Sequence, residues 1–130
     1  MSNQAKAAAF TINGQQITLK LSQKAKDMGI EKIAIKGVRW FQKTYGNTYH
    51  VSYISALIDG KWIELGRTKM QYGYGDHYLV TAGEWLIENG FIEHNSESDS
   101  QAAYGIAYRT VREILDIEET SEDVKRKKDM

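Results

Sequence analysis

Apolar and polar residues alternate with a period of two over 10–21 and again over 32–72, and beyond Asp76 the apolar spacing becomes helical. Phe10-Thr-Ile12 and Gln16 to Leu21 read as two strands joined by Asn13-Gly14, the dipeptide favoured in a two-residue type I′ turn. That turn sets Phe10 opposite Ile17. Ser22 is placed to cap a short helix through Met28, and Gly29 supplies a left-handed stop. Three consecutive strands are expected next, over 32–45, 48–59 and 61–72, with turns at Gly46-Asn47 and Asp59-Gly60.

The alternation sorts these strands into two faces. Val38, Trp40, Tyr49, Val51, Tyr53, Leu57, Trp62 and Met70 share one, which reads as a core. Arg39, Phe41, Lys43, Tyr45, His50, Ile54, Ala56, Ile58, Ile63, Leu65, Arg67 and Lys69 share the other. This second face is apolar towards the Asp59-Gly60 turn and basic and aromatic elsewhere. The pattern leaves open which face helices cover, and a bulge near Lys36-Gly37 would alter part of the assignment.

Asp76 can cap a helix from His77 to Asn89, ended by Gly90, with Leu79, Ala82, Leu86 and Ile87 as its inner stripe. A polar loop follows from His94 to Ser100. A second helix is expected from about Gln101 to Ile117, burying Ala103, Ala107, Val111 and Ile114. Residues 119–130 have no apolar face and read as a disordered charged tail. The expected fold class is α+β: an N-terminal β-hairpin and short helix, a three-stranded antiparallel meander, then two C-terminal helices, in a single domain over 1–118.

Composition narrows the function. At 130 residues, 42% hydrophobic and 26% charged, the chain has ordinary globular usage. Lys plus Arg (17) equals Asp plus Glu (17), so any hold on nucleic acid must come from a local patch rather than net charge. Cysteine is absent, which excludes disulfides, thiolate nucleophiles and thiolate metal sites. No cofactor or metal is called for. No apolar run approaches the length of a signal peptide core or a membrane span, so a cytoplasmic protein without a membrane partner is expected.

The strongest candidate surface is the strand wall of Arg39, Phe41, Lys43, Tyr45 and His50, with Arg67 and Lys69 alongside. Rings stack on bases and cations pair with phosphates, which is how sheet surfaces hold single strands. The alternative is a solvated face whose rings support cross-strand packing. A second candidate is the turn Gln71-Tyr-Gly-Tyr-Gly-Asp-His77, where Gly73 and Gly75 could offer backbone N–H groups to an anion. Its spacing matches neither the P-loop nor the dinucleotide fingerprint. Asp76 would also repel an anion there.

Catalytic chemistry is weakly supported. His50, His77 and His94 lie in separate segments, without the spacing that puts two on one helical face. Asp76-His77 lacks a nucleophile elbow. Glu84 and Glu88 read as a solvated helix face, and Lys125 to Lys128 as a solubilising terminus. Tyr104, Tyr108, Arg109 and Arg112 cluster along one side of the expected second helix and form a candidate protein-partner surface.

The segments Arg39-Trp-Phe-Gln-Lys-Thr-Tyr-Gly-Asn-Thr-Tyr-His50 and Gln71-Tyr-Gly-Tyr-Gly-Asp76 resemble small, mostly uncharacterised bacteriophage- and prophage-encoded proteins. The resemblance brings no catalytic residues. It implies an infected bacterial cytoplasm, where accessory proteins inhibit host or defence factors or sequester nucleotide signals. The leading expectation is a non-enzymatic module that binds nucleic acid or a nucleotide-derived ligand. An inhibitor of a host protein is the rival, a small enzyme comes third, and homodimerisation fits either of the first two.

Overall fold

The computed structural model describes residues 8–12, 15–94 and 116–130. The chain is mostly β, with strands β1 (Ala8–Ile12), β2 (Gln15–Leu21), β3 (Ile30–Gln42), β4 (Asn47–Ile58), β5 (Lys61–Arg67), β6 (Gln71–Tyr72), β7 (Ile92–His94) and β8 (Asp116–Val124). Two α-helices are described, α1 (Gln23–Met28) and α2 (His77–Glu88), and only α2 exceeds two turns. This corrects the α+β expectation with two C-terminal helices. Most of the second helix expected there lies outside the described residues. Its last two positions, Asp116 and Ile117, belong to a strand.

One sheet has the order β1-β2-β7, and the other β5-β4-β3-β8, with β6 also on β4. Phe10 pairs with Ile17, the register a two-residue turn at Asn13-Gly14 demands. Ser22 caps α1 by accepting from the Ala25 amide, and Gly29 ends it at φ 75°. Asp59-Gly60 makes the expected two-residue turn, with both residues at positive φ.

The Gly46-Asn47 turn does not form that way. Lys43 to Gly46 make a longer turn with Gly46 at φ 69°, so Arg39 faces His50 rather than Ile54. The slip is an even number of residues, so the side chains of β3 and β4 stay on their expected faces.

The helix decides which face is the core. Helix α2 packs on the side carrying Ile33, Ile35, Ile54 and Ala56, where Leu79, Ala82 and Leu86 share one core with Leu21, Ala25, Phe91 and Ile92. Gly37 and Gly66 let it approach, because a Cβ at either position would collide with the Tyr78 or Trp85 ring. The face read as a core from sequence is the one turned away from α2. Val38 and Val51 are buried there, while Trp62 and Met70 are exposed. Trp40 stacks on Tyr49 at 5.9 Å, and Tyr49 meets Tyr72 edge-on.

The charged tail is corrected as well. Residues 116–124 form β8, which runs parallel to β3 from Lys32↔Asp116 to Trp40↔Val124. Ion pairs Lys32–Glu118 (3.2 Å), Lys36–Glu122 (2.8 Å) and Arg39–Asp123 (2.9 Å) join the two strands. Residues 127–129 close the chain in a single 3-10 turn.

A candidate ring-walled groove at the glycine turn

Arg39 and His50 are cross-strand partners on the helix-covered face, one on β3 and one on β4. Together they hold the Gly73–Gly75 turn that leads into α2. His50 is fully buried, with Nδ1 3.0 Å from the Gly73 carbonyl and Nε2 2.6 Å from Thr81 Oγ1. A carbonyl only accepts, so Nδ1 carries the ring proton and Thr81 donates its hydroxyl to Nε2. Burial, the foremost cause, and nearby His77 and Arg39 lower the pKa of His50; the Gly73 bond opposes them. Arg39 spends each of its three nitrogens on protein: Nε on Asp123, Nη1 on the Gly75 carbonyl at 2.9 Å, and Nη2 on Ser121 at 3.1 Å.

The burial of His50 corrects its assignment to an exposed wall, while Arg39 has one N–H of each nitrogen committed to the protein. The two are clamps, and the turn they clamp is tight: Gly73 lies at φ 153° against the His77 ring, and its amide donates to the Thr48 carbonyl at 2.9 Å. Gly73 and Gly75 therefore both contribute carbonyls to the protein, and the Gly73 amide is already taken by Thr48.

The turn projects Tyr74 outward, 73% exposed, on the side where Phe41 stands 53% exposed. A groove of about 410 Å³ lies here, lined by Arg39, Phe41, Thr48, Tyr74, Gly75, Asp123 and Val124. It draws on the end of β3, the start of β4, the glycine turn and the end of β8. Among the proposed ligand residues it gathers Arg39, Phe41 and Gly75.

The others are dispersed. Lys43 and Tyr45 are exposed on the β3–β4 turn, beyond the ladder. Arg67 sits on the opposite face. The register shift between Ile54 and Ser55 inserts an extra β5 residue, which turns Arg67 to face Tyr53 with its guanidinium 5.7 Å from that ring. Lys69 is exposed on the connection before β6. Tyr104, Tyr108, Arg109 and Arg112 lie outside the described residues.

Sequence reasoning missed Tyr74, Thr48, Asp123 and Val124. Tyr74 was within sight, since a ring between two glycines on a short turn has few places to go but outward. Asp123 and Val124 gave no signal, because β8 has only Ile117 and Val124 as apolar residues.

A second, smaller cavity of about 160 Å³ is lined by Thr68, Gln71, Thr81, Glu84, Trp85 and Glu88. Burial, with the Glu88 charge second, raises the pKa of Glu84. Among the described residues no group of three or more His, Cys, Asp or Glu side chains could hold a metal ion, and no helix is long and apolar enough to cross a membrane. No family model, curated protein or solved structure matches the chain.

Proposed function

We propose that the protein is a non-enzymatic binding module that takes the base of a nucleotide, or of a single-stranded nucleic acid, between Phe41 and Tyr74. The observation that carries this reading is the pair of exposed rings on a groove of about 410 Å³. That volume falls in the range of small-ligand sites. Rings this exposed add little to the fold, and every base offers a face to stack on. Both segments that resemble phage-encoded proteins border the groove, which suits a nucleotide signal or a nucleic acid of an infected cell as the ligand.

The role of charge differs from a basic wall. Arg39 serves chiefly to position the groove, and the Asp123 carboxylate disfavours an anion beside it. The base therefore takes the Asp123 side of the groove and the phosphate is turned away from that carboxylate.

Titration of the protein with mononucleotides and short single-stranded oligonucleotides tests the reading. Phe41→Ala or Tyr74→Ala should each weaken binding by about tenfold or more, the magnitude of one lost base–ring contact. Unchanged affinity in both variants, or no binding by the unaltered protein, would remove it.

A further inference from the structure

The groove sets one carboxylate, Asp123, and the Gly75 carbonyl beside the Thr48 and Tyr74 hydroxyls, which both donate and accept. The Asp123 carboxylate, 77% exposed, gives one oxygen to Arg39 Nε and keeps most of its roughly four acceptor positions open. The Gly75 carbonyl receives Arg39 Nη1 and has a second lone pair. Arg39, the cation lining the groove, commits one N–H of each nitrogen to Asp123, Gly75 and Ser121. A ligand that suits this lining is flat enough for Phe41 and Tyr74 and brings donors to the edge that meets Asp123.

We propose that the groove selects guanine among the bases, with Asp123 accepting from its N1–H and N2–H₂ groups. This rests on the nucleotide reading given above. A carboxylate presents two parallel acceptors, and the Watson–Crick edge of guanine presents two adjacent donors, a fork-to-fork match. Adenine offers one amino group beside a bare ring nitrogen that would face the carboxylate lone pairs. Cytosine has the same defect, and uracil sets carbonyls on both sides of its one N–H. An unpaired acceptor against a carboxylate is penalised as well as unrewarded.

Three further features agree. Asp123 is held in place by its bond to Arg39, and Arg39 is fixed in turn by Gly75 and Ser121, so the carboxylate is set before a ligand arrives. Asp123 sits at the penultimate position of β8, paired with Arg39 in the parallel ladder, so it comes from a strand rather than a loop. The negative charge also disfavours entry by the phosphate end.

The test is a titration of the full chain with GMP, AMP, CMP, UMP and XMP at one fixed salt concentration, alongside Asp123→Asn. GMP should bind about tenfold or more tighter than AMP, the scale of one bidentate base contact. Asparagine offers one donor and one acceptor, which complements the xanthine edge, where a carbonyl replaces the guanine amine. Asp123→Asn should therefore lose the GMP preference and gain XMP binding, a reversal that a merely destabilised groove could not produce. Equal affinity for all bases in the unaltered protein would overturn guanine selection and leave the binding module standing. A GMP preference unchanged in Asp123→Asn would overturn the role of Asp123. Absence of binding to any nucleotide would overturn both.

Discussion

Arg39 and His50 face each other across β3 and β4 and each binds a carbonyl of the same glycine turn, Gly75 through Arg39 Nη1 at 2.9 Å and Gly73 through His50 Nδ1 at 3.0 Å. A cation and a ring that look like ligand contacts in the sequence are thus the residues that build the site. The contacts themselves fall to Phe41 and Tyr74, which have few protein duties. This division of labour can be measured.

Arg39→Ala removes three hydrogen bonds, one of them to a carboxylate, and frees the end of β8. Stability should fall by about 1–3 kcal/mol in chemical denaturation. Phe41→Ala, at an exposed position, should leave stability within about 0.5 kcal/mol. The salt dependence of ligand binding should be the same in Arg39→Ala as in the unaltered protein, because no phosphate contact is lost.

His50 gives stability a dependence on acid. Its folded pKa lies below the ordinary 6.5, so between that lower value and 6.5 the unfolded chain binds the extra proton. Stability is therefore full above pH 6.5 and declines as pH falls below it. Denaturation midpoints across mildly acid to neutral pH should show this slope, and His50→Gln should flatten it. A slope that persists unchanged in the variant would assign the proton uptake elsewhere.

Glu84 has the opposite sign. Burial beside Glu88 raises its folded pKa above the ordinary 4.5, so the folded state keeps the proton longer than the unfolded chain does. Its contribution to stability is lost as pH rises through that window. Glu84→Gln should raise the melting temperature at neutral pH and have little effect below pH 4.5.

Gly37→Ala and Gly66→Ala place a methyl group against the Tyr78 and Trp85 rings respectively, where α2 lies closest to the sheet. Each should cost about 1–3 kcal/mol as the helix is pushed away. Gly37→Ala should cost more, because Tyr78 is buried while Trp85 is only partly so. Calorimetric melts check both.

Much of the local architecture was legible in the sequence because it is set by neighbours. The β1–β2 register follows from the sequence, Asp59-Gly60 fixes its hairpin, Ser22 and Gly29 bracket α1, and Leu79, Ala82 and Leu86 mark the inner side of α2. The face assignment survived an incorrect turn at Gly46-Asn47 because the register moved by an even step. It failed at Arg67, where one extra residue in β5 reverses the side.

Strand β8 was not legible. Asp-Ile-Glu-Glu-Thr-Ser-Glu-Asp-Val has no alternating apolar face, and its partner β3 lies far away in the chain. It is held by the backbone ladder and by exposed ion pairs with Lys32, Lys36 and Arg39, the last two pairs invisible until the register is known. The candidate site followed the same logic. Phe41 and Gly75 lie in segments with strong local signals, whereas Asp123 reaches the groove only through that distant parallel pairing.

Amide chemical-shift mapping during a GMP titration tests most directly whether the groove is where ligand goes. Perturbations concentrated at Phe41, Thr48, Tyr74, Gly75, Asp123 and Val124, and abolished by Tyr74→Ala, are the predicted result. Perturbations centred instead on the face turned away from α2, at Trp40, Tyr49 and Tyr72, or a spectrum that GMP leaves unchanged, would contradict it.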